Sequence, residues 1–170
     1  MRTLHLLRHA KSSWDDMALP DHDRPLAPRG LRAAAAMRDH VAAIGLHVDL
    51  VLVSSARRAQ QTWESIAPAV VTGQVRTERA IYAATASELL QLVHRVEREL
   101  RSVLLVGHDP GFHDLASSLA GDGDREALAA LRTKYPTGAL ASLTFEMQWS
   151  SIASGDGRLV SFVRPRDLER

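Results

Sequence analysis

DLVLVSSARRAQQTWESIA, residues 49–67, passes from an apolar strand through a small polar loop into a helix. DLVLV (49–53) is a compact strand, and RRAQQTWESIA (57–67) is a helix that Pro68 stops. The same order recurs to either side. TLHLL (3–7) is a short strand that runs into RHAKSS, and RGLRAAAAMRDHVAAI (29–44) is an alanine-rich helix ended by Gly45. SVLLVG (102–107) is a buried strand that runs into HDPG, and FHDLASSLAG (112–121) is a helix closed by glycine. Between them lie a short strand at 74–77 and an amphipathic helix, SELLQLVHRVERELR (87–101). Its Leu89, Leu92, Val93 and Val96 share one face. Near the end, ALASLTFEM (139–147) and GRLVSFV (157–163) alternate as strands of a sheet edge, with a hairpin around SGDG. Alternating strands and helices specify an α/β fold of three layers, a mainly parallel sheet flanked by helices on both faces.

The composition bounds what such a domain does. At 170 residues the chain reads as a single domain, residues 1–170, with enough length to bury a core. Twenty-one Lys and Arg against 20 Asp and Glu leave a net charge of +1, which argues against a nucleic-acid partner. The absence of cysteine excludes disulfides, thiol catalysis and Cys-based zinc sites, and suits a reducing cytoplasm. MRTLHLLRHA is too short an apolar stretch for a signal peptide, and no segment approaches membrane-spanning length.

In open α/β sheets, ligands bind just beyond the carboxyl ends of the strands. Three strands here end in loops of one character, LLRHAKSS, VLVSSARRAQQT and LLVGHDPGFHD. They bring Arg8, His9, Ser54, Ser55, Arg57, Arg58 and His108 to one edge of the sheet. Two of the loops run straight into helices, whose first amides attract anions. Arginines, histidines and free amides gathered in this way describe a pocket for a phosphoryl group, with Arg8 and His9 aimed at it.

These loops also resemble a known family. LLRHAKSSW is similar to the RHG or RHA signature of the histidine phosphatase superfamily, the branch with phosphoglycerate mutases and SixA-type phosphohistidine phosphatases. SSARRAQQT resembles its second motif, a serine before an arginine followed by Ala-x-Gln-Thr, and VGHDPGFHDL its third. DHDRPLAPRG (21–30) resembles the SixA-like lead into the first helix. The resemblance implies a phosphoglycerate mutase-like fold, no metal and no cofactor. It implies His9 as a nucleophile that becomes phosphohistidine, with Arg8, Arg58 and His108 holding phosphoryl oxygens. Arg58 rather than Arg57 is the motif arginine, because only then do Ala59, Gln61 and Thr62 align. Neighbouring cations favour the neutral imidazole that attack requires. Ser12, Ser55 and Asp109 are expected to line the substrate.

The proton donor has two candidates, Glu78 and Asp109. Glu78 sits where the mutase-like relatives carry a glutamate. Asp109 follows His108 but also reads as an N-cap before a proline, and it replaces the subgroup's usual asparagine. A phosphohistidine substrate needs no strong acid, because its P–N bond is labile. The implied substrate is therefore phosphohistidine on a partner protein such as a phosphotransfer domain, admitted by an uncapped pocket. The alternatives are a broad small-molecule phosphomonoesterase and a phosphate-binding module without turnover. The eight histidines also raise a zinc hydrolase, which activity in excess chelator would exclude. Of the other histidines, His5 reads as a sheet-face residue and His22 as part of an acidic loop. His113 lies either at the pocket rim or in solvent.

Overall fold

A computed structural model describes residues 1–169. The strands are β1 (Arg2–Arg8), β2 (His47–Ser54), β3 (Val71–Glu78), β4 (Ser102–Gly107), β5 (Ala120–Gly123), β6 (Leu140–Phe145) and β7 (Gly157–Val163). The α-helices are α1 (Pro28–Ala43), α2 (Arg57–Ile66), α3 (Ala86–His94), α4 (Gly111–Leu119), α5 (Arg125–Thr133) and α6 (Pro165–Leu168). All seven strands form one sheet in the order β3-β2-β4-β1-β6-β7-β5. β6 pairs antiparallel with β1 and β7, while the remaining pairings are parallel.

Period-two alternation splits the core between the two faces. In β4, Val103 and Leu105 pack with Leu89 of α3, Phe112 of α4 and Leu131 of α5. Leu104 and Val106 face the other way, onto Met37 of α1 and Trp63 of α2. These are the two helical layers of an α/β sandwich. No α-helix among the described residues is long and apolar enough to cross a membrane.

Four readings from the sequence need correction. The helix expected over 87–101 ends at His94. Beyond it the Arg2 guanidinium donates to the Arg98 carbonyl and the Trp149 indole to the Leu100 carbonyl, so tertiary donors hold this segment against the end of the sheet. The helix expected over 112–121 stops at Leu119, because Ala120–Gly123 pairs with β7 as β5. β6 and β7 do pair antiparallel, through an eleven-residue connection that carries a 3-10 turn and reaches β7 through SGDG, but they are not the sheet edge, because β5 covers β7. Finally, α5 has no counterpart among the elements read from the sequence, although Asp124 caps it by accepting from Ala127 N at 2.9 Å.

The strand order explains why a site forms. β2, β4 and β1 are adjacent, with Arg8 opposite Gly107 and Val53 opposite Val106, so the loops after these strands emerge side by side. Gly107 makes room at that edge. A Cβ there would lie 2.6 Å from Ile81 Cγ2 and 2.7 Å from Phe112 Cζ. Gly107→Ala is expected to destabilise the protein by about 1–3 kcal/mol through overpacking. A urea denaturation midpoint lower than wild type would show it, and an unchanged midpoint would refute it.

Candidate active site

His9 follows β1 directly and is 7% exposed. Its Nδ1 lies 2.7 Å from the Ala10 carbonyl oxygen, which can only accept, so Nδ1 carries the proton. The lone pair therefore sits on Nε2, where Arg58 Nε donates to it at 3.4 Å. The orientation of this ring is held from several sides. His9 N donates to the Gly107 carbonyl, and Ala10 N donates to Thr62 Oγ1 at 3.0 Å. The Gln61 side chain accepts from Leu26 N at 2.7 Å. Gln61 and Thr62, the end of the Ala-x-Gln-Thr motif, are thus the ties between α2 and the loop after β1. Gly30 completes that clamp, because a Cβ there would stand 2.1 Å from the Lys11 carbonyl oxygen.

Arg58 is buried and Arg57 exposed, so of the two only Arg58 reaches His9. Its guanidinium is shared: Nη1 donates to the Asp21 carbonyl at 2.7 Å and Nη2 to the Asp21 carboxylate at 3.1 Å. His108 follows β4 with its ring centroid 5.2 Å from that of His9. Its Nε2 lies 2.7 Å from Ser54 Oγ, which also accepts from Ala56 N at 3.3 Å. The hydroxyl and Nε2 share one proton across this contact, and the other nitrogen of the His108 ring is Nδ1. That Nδ1 is buried with no partner, and so is Arg8 Nε. Two of the four such atoms among the described residues therefore belong to this site. Arg8 is otherwise anchored, with Nη1 donating to the Tyr135 carbonyl at 2.8 Å and standing 3.7 Å from Asp109 Oδ2.

The other expected residues divide. Ser12 is buried and bridges Leu26 through its backbone. Ser55 Oγ meets His22 Nε2 at 2.9 Å. Asp109 accepts from His113 N at 3.2 Å, one residue before the α4 cap, and Pro110 occupies the cap rather than the first helical position. Glu78 accepts from Ala80 N at 3.1 Å through one carboxylate oxygen and caps the 3-10 turn Arg79–Ile81. His113 is half-buried; its Nε2 donates to the Leu131 carbonyl at 2.6 Å, and its ring centroid lies 6.1 Å from that of Tyr135. His5 is a buried sheet-face residue, with Nδ1 2.7 Å from Ser142 Oγ.

Two residues reach the site without having been singled out by the sequence. Tyr82, just past the turn that Glu78 caps, donates its hydroxyl to Asp21 Oδ2 at 2.6 Å. Its ring stands edge-on to both His22 and His108. This hydrogen bond, aided by Arg58 and Arg24, holds the Asp21 carboxyl down to about 2. Arg24 in turn stacks 3.5 Å over Trp14, so the segment from Trp14 to Arg24 is tied to the pocket. Among the described residues no group of three or more His, Asp or Glu side chains gathers to hold a metal ion.

Burial dominates the electrostatics. It holds His9 down to about 3 against the bond to Ala10, with His108, Arg58 and Arg8 adding repulsion. Burial also holds His108 and His5 down to about 4. Both site imidazoles are therefore neutral at pH 7. The unfolded chain protonates near 6.5, so as pH falls from 6.5 towards 4 it binds protons that the native state refuses. Stability is expected to fall across that window by about 1 kcal/mol per pH unit for each of these histidines. Urea midpoints at pH 7 and pH 5 check this, and equal midpoints would contradict it.

An Arg-His pair, a buried arginine and a second neutral histidine around one point are suited to in-line displacement at an anionic centre. Comparison with known proteins agrees. The structure of a protein designated phosphohistidine phosphatase SixA, from Nakamurella multipartitia, superposes with a TM-score of 0.82 at 31% identity, covering 96% of each chain. A family model for the histidine phosphatase superfamily (branch 1) matches residues 4–82.

The chain belongs to the histidine phosphatase superfamily.

Another superfamily structure, designated SixA from Agrobacterium tumefaciens, gives a TM-score of 0.80 at 30% identity, covering 96% of this chain and 99% of that one. An uncharacterised Mycobacterium tuberculosis protein is 36% identical over 162 residues, 94% of this chain and 100% of that protein. The seven-stranded sheet and its helical layers are thus the phosphoglycerate mutase-like fold. As a member of the histidine phosphatase superfamily, the chain carries the Arg8-His9 signature within the matched region and His108 outside it.

Proposed function

We propose that this protein removes the phosphoryl group from phosphohistidine on a partner protein, through a covalent phosphohistidine on its own His9. The observation that carries the reading is the fixed tautomer of His9: Nδ1 is committed to the Ala10 carbonyl, so Nε2 presents its lone pair between Arg58 and His108. In the first step a bond forms from Nε2 to phosphorus as the P–N bond of the donor breaks. The departing imidazole takes a proton from solvent. Positive charge that develops on the His9 ring is met by the Ala10 carbonyl. The phosphoryl oxygens draw on Arg58, on His108 and on Arg8; Arg8 Nε and His108 Nδ1 are buried without a protein partner. Water then attacks phosphorus, the Nε2–P bond breaks, and phosphate leaves with His9 neutral again.

The substrate class rests on the likeness to the two SixA-designated proteins and on the proton donor. Glu78 is engaged in its cap, and the described hydrogen bonds of His9, Arg58 and His108 include no protonated carboxyl. A labile P–N bond suits such a site. Exposed Trp14 and Met17, on the same segment as Asp21, offer apolar area to a protein donor. A second reading, phosphomonoester hydrolysis, draws on Asp109, whose carboxyl is pushed up by burial despite nearby Arg8. In either case the described chain works as one domain, with all its strands in one sheet.

The test is phosphate release, with chelator present, from a phosphohistidine-bearing photransfer domain and from p-nitrophenyl phosphate. Faster turnover of the protein substrate supports the proposal. Faster turnover of the ester favours the second reading. Phosphate affinity with no release from either would make the protein a binding module.

A further inference from the structure

At the end of the sheet opposite His9, a cavity of about 420 Å³ is lined by Arg2, Arg98, Glu99, Arg101 and Gln148. Arg2 opens β1 and Arg101 immediately precedes β4, whereas His9 and His108 follow the other ends of these strands. Arg2 is only 6% exposed. Its Nη1 donates to the Met147 carbonyl at 3.1 Å and its Nη2 to the Arg98 carbonyl at 2.8 Å. Its Nε is buried with no partner. Among the described residues no carboxylate forms an ion pair with Arg2, Arg98 or Arg101. A buried guanidinium without a counter-charge is costly, so the fold maintains an uncompensated cation here. The lining holds one carboxylate, Glu99, against three arginines, which leaves positive charge in excess.

We propose that this cavity binds a small oxyanion, a phosphate or a carboxylate, held by Arg2, Arg98 and Arg101 with the Gln148 amide as a neutral donor. Planar guanidinium forks match such oxygens in pairs. The volume is in the range that takes small molecules. The two anion sites then occupy opposite ends of β1 and β4, and neither depends on the other for its residues.

The experiment is a titration of the isotopically labelled full chain with inorganic phosphate, following backbone amide shifts by NMR. Saturable shifts are expected in two groups, one around residues 9, 58 and 108 and one around residues 2, 98–101 and 147–148. The titration is repeated with Arg98→Ala/Arg101→Ala, which removes two exposed side chains and leaves the core intact. In that variant the second group should weaken at least tenfold in apparent affinity, while the first group titrates as before. Shifts confined to the first group would overturn the proposal. So would second-group shifts that never saturate, or that persist unchanged in the double variant.

Discussion

His9→Ala is expected to abolish turnover, lowering kcat by on the order of 10⁴-fold or more, because the nucleophile has no substitute in the site. His108 is the other imidazole nearby, but its Nε2 is occupied by Ser54 and its Nδ1 is buried, so neither nitrogen is open to attack phosphorus. The loss should fall on kcat while phosphate still binds, since Arg8, Arg58 and His108 remain. Steady-state release and phosphate binding, measured on one preparation, separate these effects. A variant that keeps more than about a tenth of wild-type kcat would show that His9 is not the nucleophile.

Arg58→Ala is expected to lower kcat/KM by about 10³-fold, the scale for removing a cation from a phosphoryl-transfer site. Arg57→Ala, one residue away on the exposed side of α2, should stay close to wild type. The contrast isolates geometry from net charge, because each variant removes one positive charge. Arg58→Lys should recover only part of the loss, since the ammonium cannot reproduce a guanidinium that faces His9 and Asp21 together. Equal effects of the two alanine variants would mean that charge alone, and not the seat of Arg58, supports the reaction.

Much of this site was legible before any coordinates, because it is built from loops that follow three neighbouring strands. Apolar runs located β1, β2 and β4, and the polar residues after each run had to share an edge. Motif spacing separated Arg58 from Arg57, and burial now gives the physical distinction. The contacts made by the DHD loop were not legible. Asp21 and Tyr82 lie far apart in the chain, neither stands in a periodic pattern, and they meet only once the segment after Trp14 folds over α2. Glu78 shows another case: a carboxylate at a plausible position also caps a local turn through one oxygen, and that turn delivers Tyr82 to the site.

Element ends were misread where distant groups intervened. The amphipathic pattern of Leu89, Leu92, Val93 and Val96 correctly marked a buried face, yet the helix stops at His94, and the segment beyond it is held by Arg2 and Trp149 through its carbonyls. Leu119 to Gly123 reads locally as a helix closing on glycine, and pairing with β7 converts its end to a strand. His113 had no local signal for its bond to the Leu131 carbonyl. Pattern reading identified what each segment buries, while tertiary hydrogen bonds decided where each segment ends.

The most direct test of the covalent mechanism is to look for the phosphorylated protein itself. Wild type mixed with a phosphohistidine-bearing phosphotransfer domain, quenched in alkali within a single turnover, is digested and analysed by mass spectrometry. The mechanism predicts a phosphoryl group on the peptide containing His9, stable in base, lost in acid and absent from His9→Ala. Phosphate released at the normal rate with no phosphorylated His9 at any time in the turnover would contradict it and point to direct attack by water.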